Sequence, residues 1–254
     1  ERVIEFIRNY YKENNLGGVI LGISGGKDSG VVAALFTKAL GKENVIGVTL
    51  PCHSKEEDRE DAKLVSDYYG FELINFDINP GLILIDGQEP SVSRAAIHKY
   101  PNAITVIDAG RPTDEVIELC KLVDYVACSK TFAESVSGVN INYTYTNSII
   151  EAYRELKNKF KTNVIITLED KGCVFEENGV VKIMPSIKVK PIDSTGAGDI
   201  FHGALAYGLA NNFPYEKTLK YANIAGALST ERVGGRFSIP TKKEVEERYA
   251  KIKW

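Results

Sequence analysis

Apolar residues along the chain switch repeatedly between two periods. Val3, Phe6, Ile7 and Tyr10 recur at helical spacing and predict an amphipathic helix over residues 2–14. The run Val19-Ile20-Leu21-Gly22-Ile23 is short, apolar and bounded by glycines, which predicts a buried strand. A helix over 31–40, a strand over 45–50, a helix over 55–69 and a strand over 71–76 follow. The alternation then continues with strands at 82–85, 104–107 and 125–128 and helices at 91–99, 114–122 and 149–160. Continuous apolar strands between amphipathic helices predict a largely parallel central sheet covered on both faces, an α/β three-layer αβα sandwich.

The rhythm changes after a strand predicted at 164–167. Cys173-Val174-Phe175 and Val180-Val181-Lys182-Ile183 flank Glu-Glu-Asn-Gly, which predicts an antiparallel hairpin in the C-terminal part. Helices are predicted over 199–211, 215–229 and 242–251, the last capped by Thr241 with Glu244 three residues on. The sequence contains no internal repeat and no stretch rich in Pro, Gly or Ser, so residues 1–254 are expected to form one αβα domain.

Composition narrows the possible partners. A net charge of −3 over 254 residues argues against a nucleic-acid-binding surface. No apolar run approaches the ~20 residues needed to cross a bilayer, so no membrane partner is expected. The start, Glu1-Arg2-Val3-Ile4-Glu5-Phe6-Ile7, is amphipathic and partly acidic, unlike a signal peptide. Cys52, Cys120, Cys128 and Cys173 show no C-x-x-C spacing and read as reduced, packed thiols. His53, His98 and His202 are equally dispersed, and no dedicated metal site is expected. The charged run 55–61 alternates in sign and reads as a solvated helix face.

Two glycine-rich loops carry the candidate chemistry. In the first, Ser24-Gly25-Gly26-Lys27-Asp28-Ser29 lies between a predicted strand and a predicted helix. There the unpaired N–H groups of a helix start can meet an anion, two glycines allow close approach, and Lys27 adds charge. It is not a Walker A loop, because G-x-x-x-x-G-K-[ST] is absent. Gly22-Ile23-Ser24-Gly25-Gly26 also fits the G-x-S-x-G nucleophile elbow, which would make Ser24 a nucleophile with Asp108 or Asp193 and then His202 downstream. That order is correct for a hydrolase, but His202 falls inside a predicted helix rather than on a late loop.

In the second loop, Asp193-Ser194-Thr195-Gly196-Ala197-Gly198-Asp199 opens another predicted helix. Gly196, Ala197 and Gly198 can aim successive N–H groups at a developing anion. Asp199 beside them can take the proton of an attacking alcohol.

Residues 1 to about 79 resemble the N-terminal half of ammonia-dependent NAD synthetases, within the ATP pyrophosphatases marked by S-G-G-x-D-S. "VVAALFTKALGKENVIGVTLP", "KEEDREDAKLVSDYYG" and "FELINFDI" carry the likeness beyond the loop. The resemblance implies that residues 24–29 hold the pyrophosphate of ATP and that the strand end near Val48-Thr49-Leu50 approaches the adenosine. The family's later segments for deacylated NAD, its second magnesium-binding acidic loop and its dimer interface have no visible counterpart.

Residues from about 81 to 254 resemble the C-terminal two-thirds of ribokinase-type (PfkB) sugar kinases. "LILIDGQEP", "AITVIDAGRP", "VIITLEDKGCVF", "DSTGAGDIFHGAL" and "YANIAGALSTERVGGRFSIPT" occur in the family's order. This likeness implies Asp199 as general base, Gly196, Ala197 and Gly198 as the anion hole, and residues 167–172 and 221–234 around the adenine. Glu134 would match the acidic residue of the N-x-x-E motif that organises magnesium and phosphate, with Thr131 standing where the motif has Asn. Glu169 stands where the family usually has glycine. The family's N-terminal third, with most sugar-binding residues, a paired-glycine motif and a β lid, is not seen in the chain.

Together the two likenesses imply a chimera joined near Asn79-Pro80-Gly81, and a splice inside one sheet points to deliberate construction. The implied function is an engineered fold with residual binding of ATP and Mg and no efficient turnover. A sugar or polyol kinase using Asp199 and an NAD-synthetase-type amide ligase are the alternatives. A nucleotide is the expected partner, the parent families are cytoplasmic, and the oligomeric state is left open. Both loops are expected at C-terminal strand ends. The strand at 19–23 is expected to be central, with the strand at 82–85 beside it.

Overall fold

The computed structural model describes residues 1–50, 56–76 and 80–252. Cys52, His53, Lys55 and Asn79, named above, lie outside the described residues. The chain divides into two compact units, Glu1–Asn79 and Pro80–Trp254, and each is described by itself.

In the first unit, helix α1 (Arg2–Glu13) precedes strand β1 (Val19–Gly22), helix α2 (Lys27–Leu40), strand β2 (Val45–Thr49), helix α3 (Glu56–Tyr69) and strand β3 (Glu72–Asn75). The three strands form a parallel sheet in the order β1-β2-β3. Ile23, Ala33, Val45, Ala62 and Phe71 form its core. The Arg8 guanidinium donates to the carbonyls of Lys38 and Ala39, at 2.8 and 3.0 Å, and so ties α1 to the end of α2. A cation suits that position, because the last carbonyls of a helix lack intrahelical donors.

The second unit runs β4 (Leu82–Ile85), α4 (Pro90–Lys99), β5 (Ile104–Ala109), α5 (Asp114–Cys120), β6 (Tyr125–Ser129), α6 (Lys130–Ser137), α7 (Thr146–Phe160) and β7 (Asn163–Thr167). The hairpin strands β8 (Cys173–Glu177) and β9 (Val180–Met184) follow, then helices α8 (Ala197–Ala210), α9 (Tyr215–Ser229) and α10 (Lys242–Lys251). The six strands lie in chain order, parallel from β4 to β7 and antiparallel from β7 to β9.

Side chains of a strand alternate between faces, and here both faces are apolar. Ile107, Val126 and Ile166 enter one core with residues of α5, α6 and α7. Val106, Ala127 and Ile165 enter a second core on α8 and α9, with Phe201, Leu205 and Leu219. Helices therefore cover both faces, which gives the expected α/β sandwich with its antiparallel hairpin.

The described strands form two sheets, one in each unit. β1 is an end strand of the first, paired with β2, and β4 is an end strand of the second, paired with β5. Every parallel pair joins strands consecutive in the chain with helix between them.

The cysteines at 120, 128 and 173 are unpaired thiols and fully buried. Burial pushes Cys120 and Cys173 up to about 12 and Cys128 well above the usual thiol range.

Helix α10 opens on a complete capping box. Glu244 N donates to Thr241 Oγ1 at 3.3 Å, and Thr241 N donates to Glu244 Oε2 at 2.7 Å. That amide, with help from Arg232 and the Thr241 hydroxyl, brings the Glu244 carboxyl down to about 2. Thr241→Ala should cost about 1 kcal/mol of stability, read by urea denaturation of the full chain.

Candidate functional site

Each glycine-rich loop follows the C-terminal end of a strand or opens a helix, and each lies in a different unit. The first loop leaves β1, and α2 begins at Lys27, so Lys27, Asp28 and Ser29 form the helix's opening turn. Gly26 is the N-cap in extended conformation, at φ −75°. Gly25 has φ +83°, and a Cβ there would lie 2.3 Å from the Asp58 carbonyl oxygen, so only glycine fits.

The serines close the loop on itself. Ser24 N donates to Ser29 Oγ at 3.2 Å, Gly26 N donates to Ser24 Oγ at 3.3 Å, and Ser29 Oγ donates to the Gly26 carbonyl at 2.9 Å. The two hydroxyls lie 3.1 Å apart. Ser24, Gly26, Lys27 and Asp28 are exposed, so an anion arriving at the turn meets backbone N–H groups and one lysine without burying a charge.

The second loop is held more firmly. Ile192 N and Asp193 N both donate to the Thr230 carbonyl, at 2.6 and 3.1 Å. Asp193 then accepts from Gly234 N at 2.8 Å through Oδ2 and from Thr195 N at 2.9 Å through Oδ1. The Gly234 amide foremost, with Thr195, brings the Asp193 carboxyl down to about 2. Gly196 follows as the N-cap of α8 at φ +75°, and a Cβ there would meet the Gly235 Cα at 3.3 Å.

Ala197 N donates to the Ser194 carbonyl at 3.1 Å, and Ile200 N to the Gly196 carbonyl at 2.9 Å. Between them, the amides of Gly198 and Asp199 belong to the opening turn, where N–H groups have no carbonyl one turn back. Gly198 and Asp199 are exposed, so the opening turn and its carboxylate are open to solvent. A cavity of about 510 Å³ begins at Gly196 and Asp199 and runs along α8 past Ile200, Tyr207 and Lys242.

One further carboxylate reaches this turn from below. Asp108, on β5, places Oδ2 3.0 Å from His202 Nδ1, and the same nitrogen lies 2.7 Å from the Gly198 carbonyl oxygen. The elbow reading named Asp108 and His202 as partners of Ser24. The fold does join the first two, while the Ser24 hydroxyl is bonded to Ser29 and Gly26 in the other unit. Asp193 is committed to its own turn.

Glu134 lies on α6, where its Oε1 accepts from Ile141 N at 2.9 Å and stands 3.7 Å from Lys130 Nζ. The carboxylate therefore also holds the chain leaving α6. Helix α6 had no counterpart among the predicted elements. Its start is fixed by Ser129, whose Oγ accepts from Phe132 N at 3.1 Å, and its end by Gly138 at φ +72°. Lys130 Nζ sits 4.7 Å from the centre of the Tyr143 ring. The Tyr143 hydroxyl donates to Glu169 Oε2 at 3.2 Å, and burial foremost, with Glu169, pushes it up to about 12.

Glu169, the residue standing in the glycine position, adopts φ +55°. It therefore carries the backbone strain that a glycine avoids. Among the described residues, no group of three or more His, Cys, Asp or Glu side chains could hold a metal ion. No described helix is long and apolar enough to cross a membrane.

The profile of the pfkB family carbohydrate kinases matches residues 5–242, and the chain belongs to that family. Over 174 residues it is 28% identical to a ribokinase from Lactococcus lactis, covering 67% of this chain and 54% of that protein. Over 77 residues it is 53% identical to an NH(3)-dependent NAD(+) synthetase from Pyrococcus horikoshii, covering 30% of this chain and 28% of that protein. The chain thus spans about half the length of that ribokinase and under a third of that synthetase.

Among solved structures, a ribokinase from Thermotoga maritima superposes with a TM-score of 0.56 at 23% identity, covering 92% of this chain and 80% of that one. An Arabidopsis thaliana ribokinase complexed with ribose and ATP gives 0.56 at 18% identity, over 91% of this chain and 80% of that one. The fold is shared with these ribokinases.

Two outcomes follow from the loop geometry. The low Asp193 carboxyl contributes stability above its unfolded value near 4, and that contribution is lost as pH falls through about 2. Melting temperatures of the wild type and Asp193→Ala should therefore differ most above pH ~4 and converge toward pH ~2. Glu169→Gly, freed of its left-handed strain, should be about 1 kcal/mol more stable than Glu169→Ala in chemical denaturation.

Proposed function

We propose that this chain is an engineered chimera of a synthetase-like segment and a ribokinase-type part that binds Mg-ATP and turns it over inefficiently. The observation that carries this reading is the opening turn of α8, where exposed Gly198 and Asp199 stand beside the left-handed Gly196 cap. Coverage of only 54% and 28% of the two relatives supports the view that neither parent site is whole. In this reading a cytoplasmic setting follows from the parents.

Of the expected anion hole of Gly196, Ala197 and Gly198, the Ala197 amide is bonded to the Ser194 carbonyl, and the amides of Gly198 and its neighbour Asp199 bear the positive end of α8 and suit the terminal phosphate of ATP. The donor set fits a metal that arrives with the nucleotide: amides for phosphate oxygens and one exposed carboxylate, without an all-protein cage. Magnesium supplies charge neutralisation on the phosphates when bound. Asp199 accepts the proton of an alcohol as its oxygen bonds to the terminal phosphorus and the bond from that phosphorus to the bridging oxygen breaks, releasing ADP. In the chimera reading the family's lid is not carried over, and that step loses the advantage that water exclusion and orientation of the acceptor give.

A second reading, a working sugar or polyol kinase, is favoured by the family match across 5–242. A third, the amide ligase, draws on the 53% identity of the first unit.

Calorimetric titration with Mg-ATP and a turnover assay separate these readings. A Cβ on Gly198 enters open space, and one on Gly26 meets only Ser24 Oγ at 3.4 Å, so either alanine leaves the fold intact. Gly198→Ala should weaken ATP binding about ten-fold or more, the effect of obstructing one charge-assisted amide contact. Gly26→Ala leaves α8 untouched. A loss of affinity only with Gly26→Ala moves the nucleotide to the first loop and overturns the α8 assignment. Fast phosphorylation of a sugar, abolished by Asp199→Asn, replaces the inefficient chimera with the kinase.

A further inference from the structure

The pair formed by Asp108 and His202 takes no part in the phosphate chemistry read on either loop. His202 is buried, at 4% exposure, on the second turn of α8. Its Nδ1 faces two oxygens, the Gly198 carbonyl at 2.7 Å and Asp108 Oδ2 at 3.0 Å. Its Nε2 is buried without a hydrogen-bond partner. Two acceptors at one nitrogen require that Nδ1 carry the proton, since a bare lone pair there would face two oxygen lone pairs. The neutral ring then leaves only an unprotonated Nε2 without a partner, whereas an N–H at that place would be a buried donor with no acceptor.

We propose that His202, held by Asp108, is a positioning residue that locks the opening turn of α8 and so presents its amides and Asp199 in one fixed direction. The need arises from the turn's own composition. Gly196 caps it and Gly198 sits inside it, so the first turn contains the residue type that, proline aside, is least able to hold a helix. Capping by a side-chain oxygen, the usual remedy, is absent at Gly196. The His202 ring supplies the constraint from inside the core by binding the Gly198 carbonyl. Asp108 anchors that ring to β5, an interior strand of the six-stranded sheet. The consequence for ligand binding rests on the phosphate reading of α8, whereas the lock itself does not.

Three measurements on the full chain test it. The ring nitrogen shifts of His202 at neutral pH should report the Nδ1–H tautomer, and an Nε2–H tautomer overturns the proposal. Amide-resolved hydrogen exchange without nucleotide should show Ile200, Phe201 and His202 exchanging about ten-fold faster in His202→Leu, with α9 amides unchanged. His202→Asn, whose side-chain amide can donate from nearly the place of Nδ1, should restore slow exchange. Equal exchange in the Leu variant and the wild type, or no rescue by Asn, overturns the lock. Should His202→Leu not fold, Asp108→Ala against the wild type makes the same comparison and is expected to exchange faster at the same three amides.

Mg-ATP titrations of these variants then read the consequence, with affinity falling about ten-fold in His202→Leu and recovering in His202→Asn. An affinity that falls equally in the Leu and Asn variants overturns the link to binding. A wild type that binds no ATP removes the phosphate reading instead, and the exchange data still decide the lock.

Discussion

Burial on both faces of the six-stranded sheet is the constraint from which the second unit follows. Val106, Ala127 and Ile165 demand cover on the side opposite Ile107, Val126 and Ile166, and α8 and α9 supply it. Packing through Phe201, Leu205 and Leu209 fixes the axis of α8 and aims its first turn toward solvent. Asp199 owes its exposure to that choice of face. The loop before it is then drawn onto the end of α9 by Thr230 and Gly234, so the geometry of the glycine-rich loop and core packing share the same two helices.

The local pattern was legible wherever one period dominated. Strand β4 and helices α9 and α10 occupy the residues that spacing predicted, and the hairpin lies where the apolar pairs flank Asn178-Gly179. Helix α6 escaped because it is short and rich in small and polar residues. Its serine cap and C-terminal glycine, Ser129 and Gly138, are the signals that mark it. The division into two sheets was not legible, since apolar strands look alike whichever neighbour they take.

The candidate sites were legible as loops rather than as constellations. Gly196, Ala197, Gly198 and Asp199 are contiguous, and their role follows from the helix that they open. Asp108 and His202 are far apart in the chain, so their meeting depends on α8 lying over β5. Asp193 could have been read as an Asx-type turn from the Asp-Ser-Thr that precedes the glycines, the pattern its bond to Thr195 realises. Glu169 shows the converse: a position that departs from the glycine pattern, with the cost visible only in its backbone angle.

The buried thiols give the second unit a built-in clock. Cys120 and Cys128 lie in the core on one face of the sheet and Cys173 in the core on the other. Each is held as an unreactive, protonated thiol while its layer is closed, because only the thiolate attacks a labelling reagent. The order in which they become modified therefore records which helical layer lifts first. It tells whether the layer that carries the glycine-rich turn of α8 opens alone or only with the whole fold.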